Sequence, residues 1–215
     1  MEFELLTAAS AERDFYGENL ILLEGIIEEF LSCLGMMRRC QVSRGQRDPI
    51  ASVQTRIKRA DSMKKKLVRQ GLPVTADSAL GQVWDAAGVR LICPFVRDIG
   101  EALNLIRAIP GVRILREKDY IRNPKPNGYR SYHMILTLPL RFLGGEEHGP
   151  VWLEVQLRTI AMEFWANLEH QLRYKKNLPP EILIKTEAQL NECAQLSSVL
   201  DSKMQEVKDM IESHS

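Results

Sequence analysis

No stretch of this chain is apolar over anything near the ~18 residues that a membrane-spanning helix needs, so no membrane partner is expected. Residues Met1 to Glu12 carry acids and no basic run ahead of an apolar core, and no secretory signal is legible. Cysteine is scarce and unpatterned. Cys33, Cys40, Cys93 and Cys193 form no CxxC and fit no metal-ligand spacing; they read as four buried thiols in a reducing cytoplasm. Net charge is only +1, which excludes a bulk binder of DNA or of nucleic acid in general. Internal repeats and low-complexity tracts are lacking too. What remains is 215 residues, 45% hydrophobic and 27% charged: an ordinary globular composition, with length enough to bury a core unaided.

The charge that is present is clustered. Seven bases lie between Arg56 and Arg69 against the single acid Asp61, and seven more between Arg107 and Arg130. Two basic clusters in a near-neutral chain point to a local anionic ligand such as nucleotide phosphates.

Hydrophobic spacing predicts a helix over 12–41 from Leu20, Leu23, Ile27, Phe30, Leu31 and Leu34. A loop over 43–49 follows, then a basic helix over 53–70 stopped by Gly71-Leu72-Pro73. A short helical piece is expected near 79–84, a buried strand over 87–94, a helix over 99–109 and a strand over 112–118. After a turn-rich loop at 122–128, strands are expected over 129–138 and 151–157 and a helix over 160–174. Beyond Pro179-Pro180, the residues Cys193, Leu196, Leu200, Met204, Val207 and Ile211 make a long amphipathic helix whose stripe needs a partner surface. The order is helices, a mixed middle, then helices: an α+β chain.

Five constellations carry possible chemistry. Lys58, Ser62 and Lys66, four apart, would share a helix face beside Arg56 as a ladder of phosphate donors, or else form a plain solvated face. Asp85 stands just before the 87–94 strand, where one carboxylate can hold a divalent cation, and Arg90 can stack on a base. In the hexad Gly128-Tyr129-Arg130-Ser131-Tyr132-His133, glycine allows close backbone approach, Tyr129 offers a stacking face and Arg130 a charge. Alternation places Glu154, Gln156 and Arg158 on one strand face and Leu153, Val155 and Leu157 on the other. A polar row of that kind suits a site built on a rigid strand, or a solvent-facing edge. The segment 161–170 reads mainly as helix core, with Trp165 and Leu168 buried and His170 a satisfied core histidine.

In this order and spacing, the Asp85–Cys93 segment, the GYRSYH hexad and the EVQLRT–AMEFWANLEH stretch resemble the synthetase domain of the RelA/SpoT family, and specifically its short stand-alone members, the small alarmone synthetases. The resemblance implies a mixed sheet of about five strands flanked by helices, similar to the nucleotidyltransferase fold. It divides the chain into an N-terminal helical extension (1–48), a synthetase domain (49–178) and a C-terminal amphipathic helix (179–215). It also implies transfer of the β,γ-pyrophosphate of ATP to the 3′-OH of GDP or GTP, giving ppGpp or pppGpp and AMP in the stringent response. Arg56 and Arg90 would sandwich the adenine, and Lys58, Ser62 and Lys66 would hold the ATP phosphates. Asp85 and Glu154 would bind Mg²⁺, with Glu154 also orienting or deprotonating the attacking hydroxyl. Tyr129 would stack on guanine, Lys118, Lys125 and Arg130 would neutralise the acceptor's phosphates, and His133 and Gln156 would support that pocket. A homotetramer is typical of such members.

Long members of the family carry a hydrolase with a His-Asp pair; no His-Asp dipeptide occurs here, so synthesis without degradation is expected. Some small members bind the alarmone as an activator through an aromatic and a Thr-Gly just before the Arg-x-Lys motif. That stretch reads Ala51-Ser52-Val53-Gln54-Thr55 here, and activation at that place is not expected. Two rivals share the donor motifs: a toxic relative that modifies tRNA 3′ ends or adenosine nucleotides, and an inactive nucleotide- or RNA-binding regulator.

Overall fold

The computed structural model describes residues 10–140, 149–173 and 179–214. Among them the elements run α1 (Ser10–Tyr16), a 3-10 turn (Gly17–Asn19), α2 (Leu20–Ser43), β1 (Ser52–Ile57), α3 (Ala60–Arg69), α4 (Ala76–Gly81), β2 (Ala87–Cys93) and α5 (Val96–Arg107). They continue with β3 (Arg113–Asp119), β4 (Tyr132–Thr137), β5 (Leu153–Thr159), α6 (Ile160–Arg173) and α7 (Pro180–Glu212). The five strands make one mixed sheet in the order β1-β2-β5-β4-β3. Only β2 and β5, at its centre, run parallel; the other three pairs are antiparallel. The expected α+β architecture is the one observed.

Alternation gives the sheet two unlike faces. Ala87, Val89, Leu91 and Cys93 of β2, with Leu153, Val155 and Leu157 of β5, are buried in one cluster with Leu23, Ile26 and Phe30 of α2 and Ile99, Ala102 and Ile106 of α5. Burying each large side chain there stabilises the fold by about 1.5–3 kcal/mol. The opposite face is polar. Strand register places Gln54, Arg90, Gln156, His133 and Lys118 side by side, one residue from each strand, across the whole sheet. A second row holds Arg56, Gly88 and Glu154.

Several expectations change. The basic segment is not one helix: 52–57 is strand β1, pairing with β2, and the helix begins only at Ala60. The half-buried Val53, Thr55 and Ile57 alternate with exposed Ser52, Gln54 and Arg56; that period of two defines a strand. Arg59, in an extended conformation as the N-cap, makes the break without glycine or proline. Lys58 therefore precedes the helix that carries Ser62 and Lys66. The 12–41 helix is broken at Gly17, whose φ of +55° has no place in a right-handed helix. Only Cys93 of the four cysteines is buried; Cys33 is intermediate, and Cys40 and Cys193 are exposed. Trp165 is buried as expected, but Leu168 and His170 face outward.

The tail is one 33-residue helix, opened by Pro180 in its first turn. Its inner side is mostly small or polar, with Leu190 packed against Trp165. Ala194 and Asp201 are buried, and the Ser197 hydroxyl bonds to Ala161 O at 3.1 Å. The predicted stripe of Leu196, Leu200, Met204, Val207 and Ile211 points away from the subunit and is exposed, as are Ile160, Phe164, Leu168 and Leu172 of α6.

Candidate active site

The polar sheet face becomes a cleft over its central strands, lined by Gln54, Arg56, Gly88, Arg90, Glu154 and Gln156. Gly88 keeps it open: a Cβ there would come within 3.3 Å of the Arg56 side chain. At one end of the parallel pair, Asp85 precedes β2 and is gripped by two ammoniums, Lys58 Nζ at 2.9 Å and Lys66 Nζ at 2.8 Å. Burial would raise the Asp85 pKa, but the Lys66 and Lys58 bonds and charges outweigh it and hold the carboxyl below its ordinary value. Ser62 is exposed, one turn before Lys66 on α3. The tyrosine at the end of α1 closes this corner from beneath, Tyr16 Oη donating to Lys58 O at 2.7 Å.

Glu154 is the hub. Arg56 Nη2 lies 3.3 Å from one oxygen, the Gln156 amide donates to the same oxygen at 2.8 Å, and His133 Nδ1 stands 3.4 Å from the other. Burial pushes its pKa up, yet His133, Gln156 and Arg56 together bring it down to about 2. Behind it runs a directed chain. Arg158 Nη2 is 2.7 Å from the Tyr129 hydroxyl, which is 2.8 Å from His133 Nε2. A guanidinium can only donate, so the Tyr129 hydroxyl accepts from Arg158. The ionised Glu154 can only accept, so the His133 nitrogen facing it, Nδ1, carries a proton; in the neutral imidazole Nε2 then accepts from the Tyr129 hydroxyl.

The other side of the cleft is cationic and aromatic. Lys125 Nζ sits 4.6 Å from the Tyr129 ring centre and 4.8 Å from that of Tyr120, and Lys118 Nζ sits 5.8 Å from Tyr120. Tyr120 also meets His133 edge-on at 5.2 Å. A base can stack on Tyr129 where Lys125, on its flexible stem, swings aside toward the phosphates. Arg130 is turned away from this group: its guanidinium is 3.3 Å from Asp201 of α7.

Of the sequence-predicted residues, Arg56, Lys58, Lys66, Asp85, Arg90, Tyr129, His133, Glu154 and Gln156 converge on the cleft and its rim. Lys118 and Lys125 border it, Ser62 lies at its edge and Arg130 points elsewhere. Sequence reasoning missed Glu163. Its carboxylate binds Arg158 at 2.7 Å and Arg90 at 2.9 Å, and accepts from Asn167 at 3.0 Å. One acid on α6 thus ties the arginine of β2 to the one holding Tyr129. Burial and the nearby Arg158 lower the Arg90 pKa while Glu163 opposes them. An acid amid the apolar AMEFW run was the available signal; a core helix has no other reason for it.

Among the described residues no group of three or more His, Cys, Asp or Glu gathers as a metal cage. What the site has is two ionised carboxylates, Asp85 and Glu154, at one end of adjacent parallel strands. That donor set fits Mg²⁺, which takes one or two carboxylates and completes its shell with phosphate oxygens and water. Cations and two carboxylates beside an aromatic tyrosine, gathered on and around one sheet face, define a phosphoryl-transfer site for nucleotides.

Comparison with known proteins agrees. The family described as "Region found in RelA / SpoT proteins" matches residues 55–178. In Bacillus subtilis, GTP pyrophosphokinase YwaC is 39% identical over 167 residues, 77% of each chain. GTP pyrophosphokinase YjbM is 32% identical over 188 residues, 86% of this chain and 85% of that one. The crystal structure of the small alarmone synthetase 1 from B. subtilis bound to its product pppGpp superposes with a TM-score of 0.77 at 31% identity, covering 90% of this chain and 97% of that chain. That of the small alarmone synthetase 2 gives 0.76 at 35%, covering 90% and 98%. The chain belongs to the RelA/SpoT family, in its small stand-alone synthetase branch.

Proposed function

We propose that this protein is a GTP pyrophosphokinase that moves the β,γ-pyrophosphate of ATP onto the 3′-OH of GDP or GTP, releasing AMP and forming ppGpp or pppGpp. One observation carries the reading: an ionised Glu154 stands between Arg56 on the donor side and His133, itself bonded to Tyr129, on the acceptor side. In the transfer, the 3′ oxygen bonds to the β-phosphorus, the bond from that phosphorus to the α,β-bridging oxygen breaks, and AMP leaves. The hydroxyl proton passes to the Glu154 carboxylate. At a pKa of about 2 in the free protein, Glu154 is a weak base, so its first task is to accept that proton's hydrogen bond and aim the oxygen. Entry of ATP draws Arg56 onto the base and away from the carboxylate, which raises its basicity. Lys58 and Lys66 exchange part of their hold on Asp85 for phosphate oxygens. Mg²⁺ held by Asp85 and Glu154 would neutralise charge on the transferred phosphates. Incubation with γ-labelled ATP, Mg²⁺ and GDP, GTP, GMP, ADP or tRNA in turn, followed by chromatography, tests this. Label is expected in ppGpp and pppGpp; label only on tRNA or adenosine nucleotides, or none at all, ends the reading.

Tyr129→Ala is expected to raise the acceptor KM about 5- to 150-fold, the equivalent of one lost base–aromatic stack of ~1–3 kcal/mol, with little change in the ATP KM. Tyr129→Phe keeps the ring and loses only the hydroxyl's bonds to Arg158 and His133, so it should recover most of the acceptor affinity. Initial rates at varied acceptor and varied ATP decide; equal effects on both substrates mean a folding role.

The assembly is a homotetramer, built on the outward faces of α6 and α7. Support comes from the row of exposed apolar side chains there, from Phe164 on α6 to Ile211 on α7. Water contact costs such a face ~25 cal/mol per Å², and a second copy supplies a matching apolar surface. Leu200→Glu with Val207→Glu should give smaller but folded particles by light scattering. Unfolding would place the stripe in the subunit's own core, and an unchanged mass and melting temperature would rule the interface out. Cysteines kept as thiols rather than disulfides and nucleotide substrates favour the cytoplasm. Among the described residues no helix is long and apolar enough to cross a membrane.

A further inference from the structure

The inner face of α7 grips the segment that carries Tyr129. Gly128 adopts φ +88°, and a Cβ there would lie 2.5 Å from the Ala194 side chain and 3.1 Å from Asn191 Oδ1. Asn191 Nδ2 donates to Pro126 O at 3.0 Å. The segment is stiff within itself: Lys125 N–H bonds to Tyr129 O at 3.1 Å and Gly128 N–H to Lys125 O at 2.8 Å. The backbones of Lys125 and Tyr129 are therefore tied together.

At the centre of the grip is Asp201, a carboxylate only 6% exposed. A single oxygen receives Arg130 Nη1 at 3.3 Å and the Thr159 hydroxyl at 2.9 Å. The same Thr159 oxygen accepts from Met162 N–H at 3.1 Å and so starts α6. Asp201 thus joins the tyrosine segment, the end of the central strand and the start of α6. A buried carboxylate is costly unless paired, and nothing in the core of α7 calls for one. Arg130 is its charged partner, and with the guanidinium so engaged it is withheld from solvent and from any phosphate beside Lys118 and Lys125.

We propose that Asp201 and Arg130 are positioning residues for the acceptor nucleotide: the pair seats the 125–131 segment on α7, and so sets where Tyr129 and Lys125 meet the acceptor, with Arg130 acting as a strut and making no phosphate contact of its own. This rests on the reading that the Tyr129 segment receives the acceptor.

The test compares the full chain with Asp201→Asn, Arg130→Ala and the double variant, measuring kcat, both KM values and the melting temperature. Asparagine keeps the shape and the Thr159 hydrogen bond and removes only the charge that holds Arg130. The acceptor KM should rise about tenfold, the effect of losing one charge-assisted hydrogen bond, with the ATP KM unchanged. The double variant should be no worse than Arg130→Ala alone, because both remove one interaction. Asn191→Ala, at a partly exposed position, repeats the test without touching the buried carboxylate, and a selective rise of about threefold is expected. An unchanged acceptor KM in Asp201→Asn and Asn191→Ala overturns the proposal. So do equal rises for both substrates, and so do effects of Asp201→Asn and Arg130→Ala that multiply in the double variant, since Arg130 would then contact phosphate itself. Product formation by the unmutated chain separates these outcomes from a failure of the proposed reaction.

Discussion

Glu154→Gln should leave ATP binding intact and reduce turnover at least about 100-fold. The amide keeps the size and one acceptor oxygen, but it carries no charge for a metal to bind and takes up no proton from the 3′-hydroxyl. Titration calorimetry with a non-hydrolysable ATP analogue, beside chromatography of labelled products, separates the two effects. Near-normal turnover would remove Glu154 from the role given to it. The same variant changes the response to acid. Its folded pKa of about 2 lies below the ordinary 4.5, so the ionised group stabilises the fold above about pH 4.5 and that contribution is lost as pH falls toward 2. In Glu154→Gln, denaturant midpoints over that window should fall less steeply than in the parent.

Asp85→Asn should be comparably damaging, with a fall in turnover of about 100-fold or more, and in a way that tells binding from chemistry. The carboxylate lies between Lys58 and Lys66, and its removal leaves two ammoniums close together with no anion between them. Like charges so placed welcome a polyphosphate. Metal-free ATP should therefore bind Asp85→Asn at least as tightly as the parent, while added Mg²⁺ should strengthen binding less than it does in the parent. Weaker binding of metal-free ATP would mean that Asp85 holds the lysines in place for the phosphates, and turnover within tenfold of the parent would remove it from the catalytic group.

The sequence made some parts of this arrangement plain and hid others, for physical reasons. Strand β5 was legible because Leu153, Val155 and Leu157 alternate with Glu154, Gln156 and Arg158, and only a strand separates those sets. Strand β2 was legible because the run from Ala87 to Cys93 is short and apolar apart from Arg90, and Pro94 ends it, as suits a central strand. Strand β1 was not. Its alternation lasts six residues and runs straight into the bases of α3 with no glycine or proline between, so charge density masked a change of period. Pairing across strands is non-local, and the row from Gln54 to Lys118 follows from register alone. Local motifs drew attention to Arg90, His133 and Gln156, and resemblance to a family to Lys118, one by one and without placing them side by side. Glu163 was hidden by its neighbours, because a helix rich in Met, Phe and Trp reads as packing. The outward turn of Arg130 depends on Asp201, 71 residues away in sequence.

That row across the sheet works as a fixed gauge. Five residues, one per strand, span four inter-strand steps of about 4.8 Å, or about 19 Å from Gln54 to Lys118. Backbone hydrogen bonds set each step, so the backbone spacing from Gln54 to Lys118 is fixed by the sheet. On the proposed reading, two nucleotides meeting over Glu154 must fit this frame to react. On that reading, discrimination among acceptors falls to the far edge, to the flexible side chains of Lys118 and Lys125 beside Tyr129, where an added or missing phosphate alters the reach required without disturbing the centre.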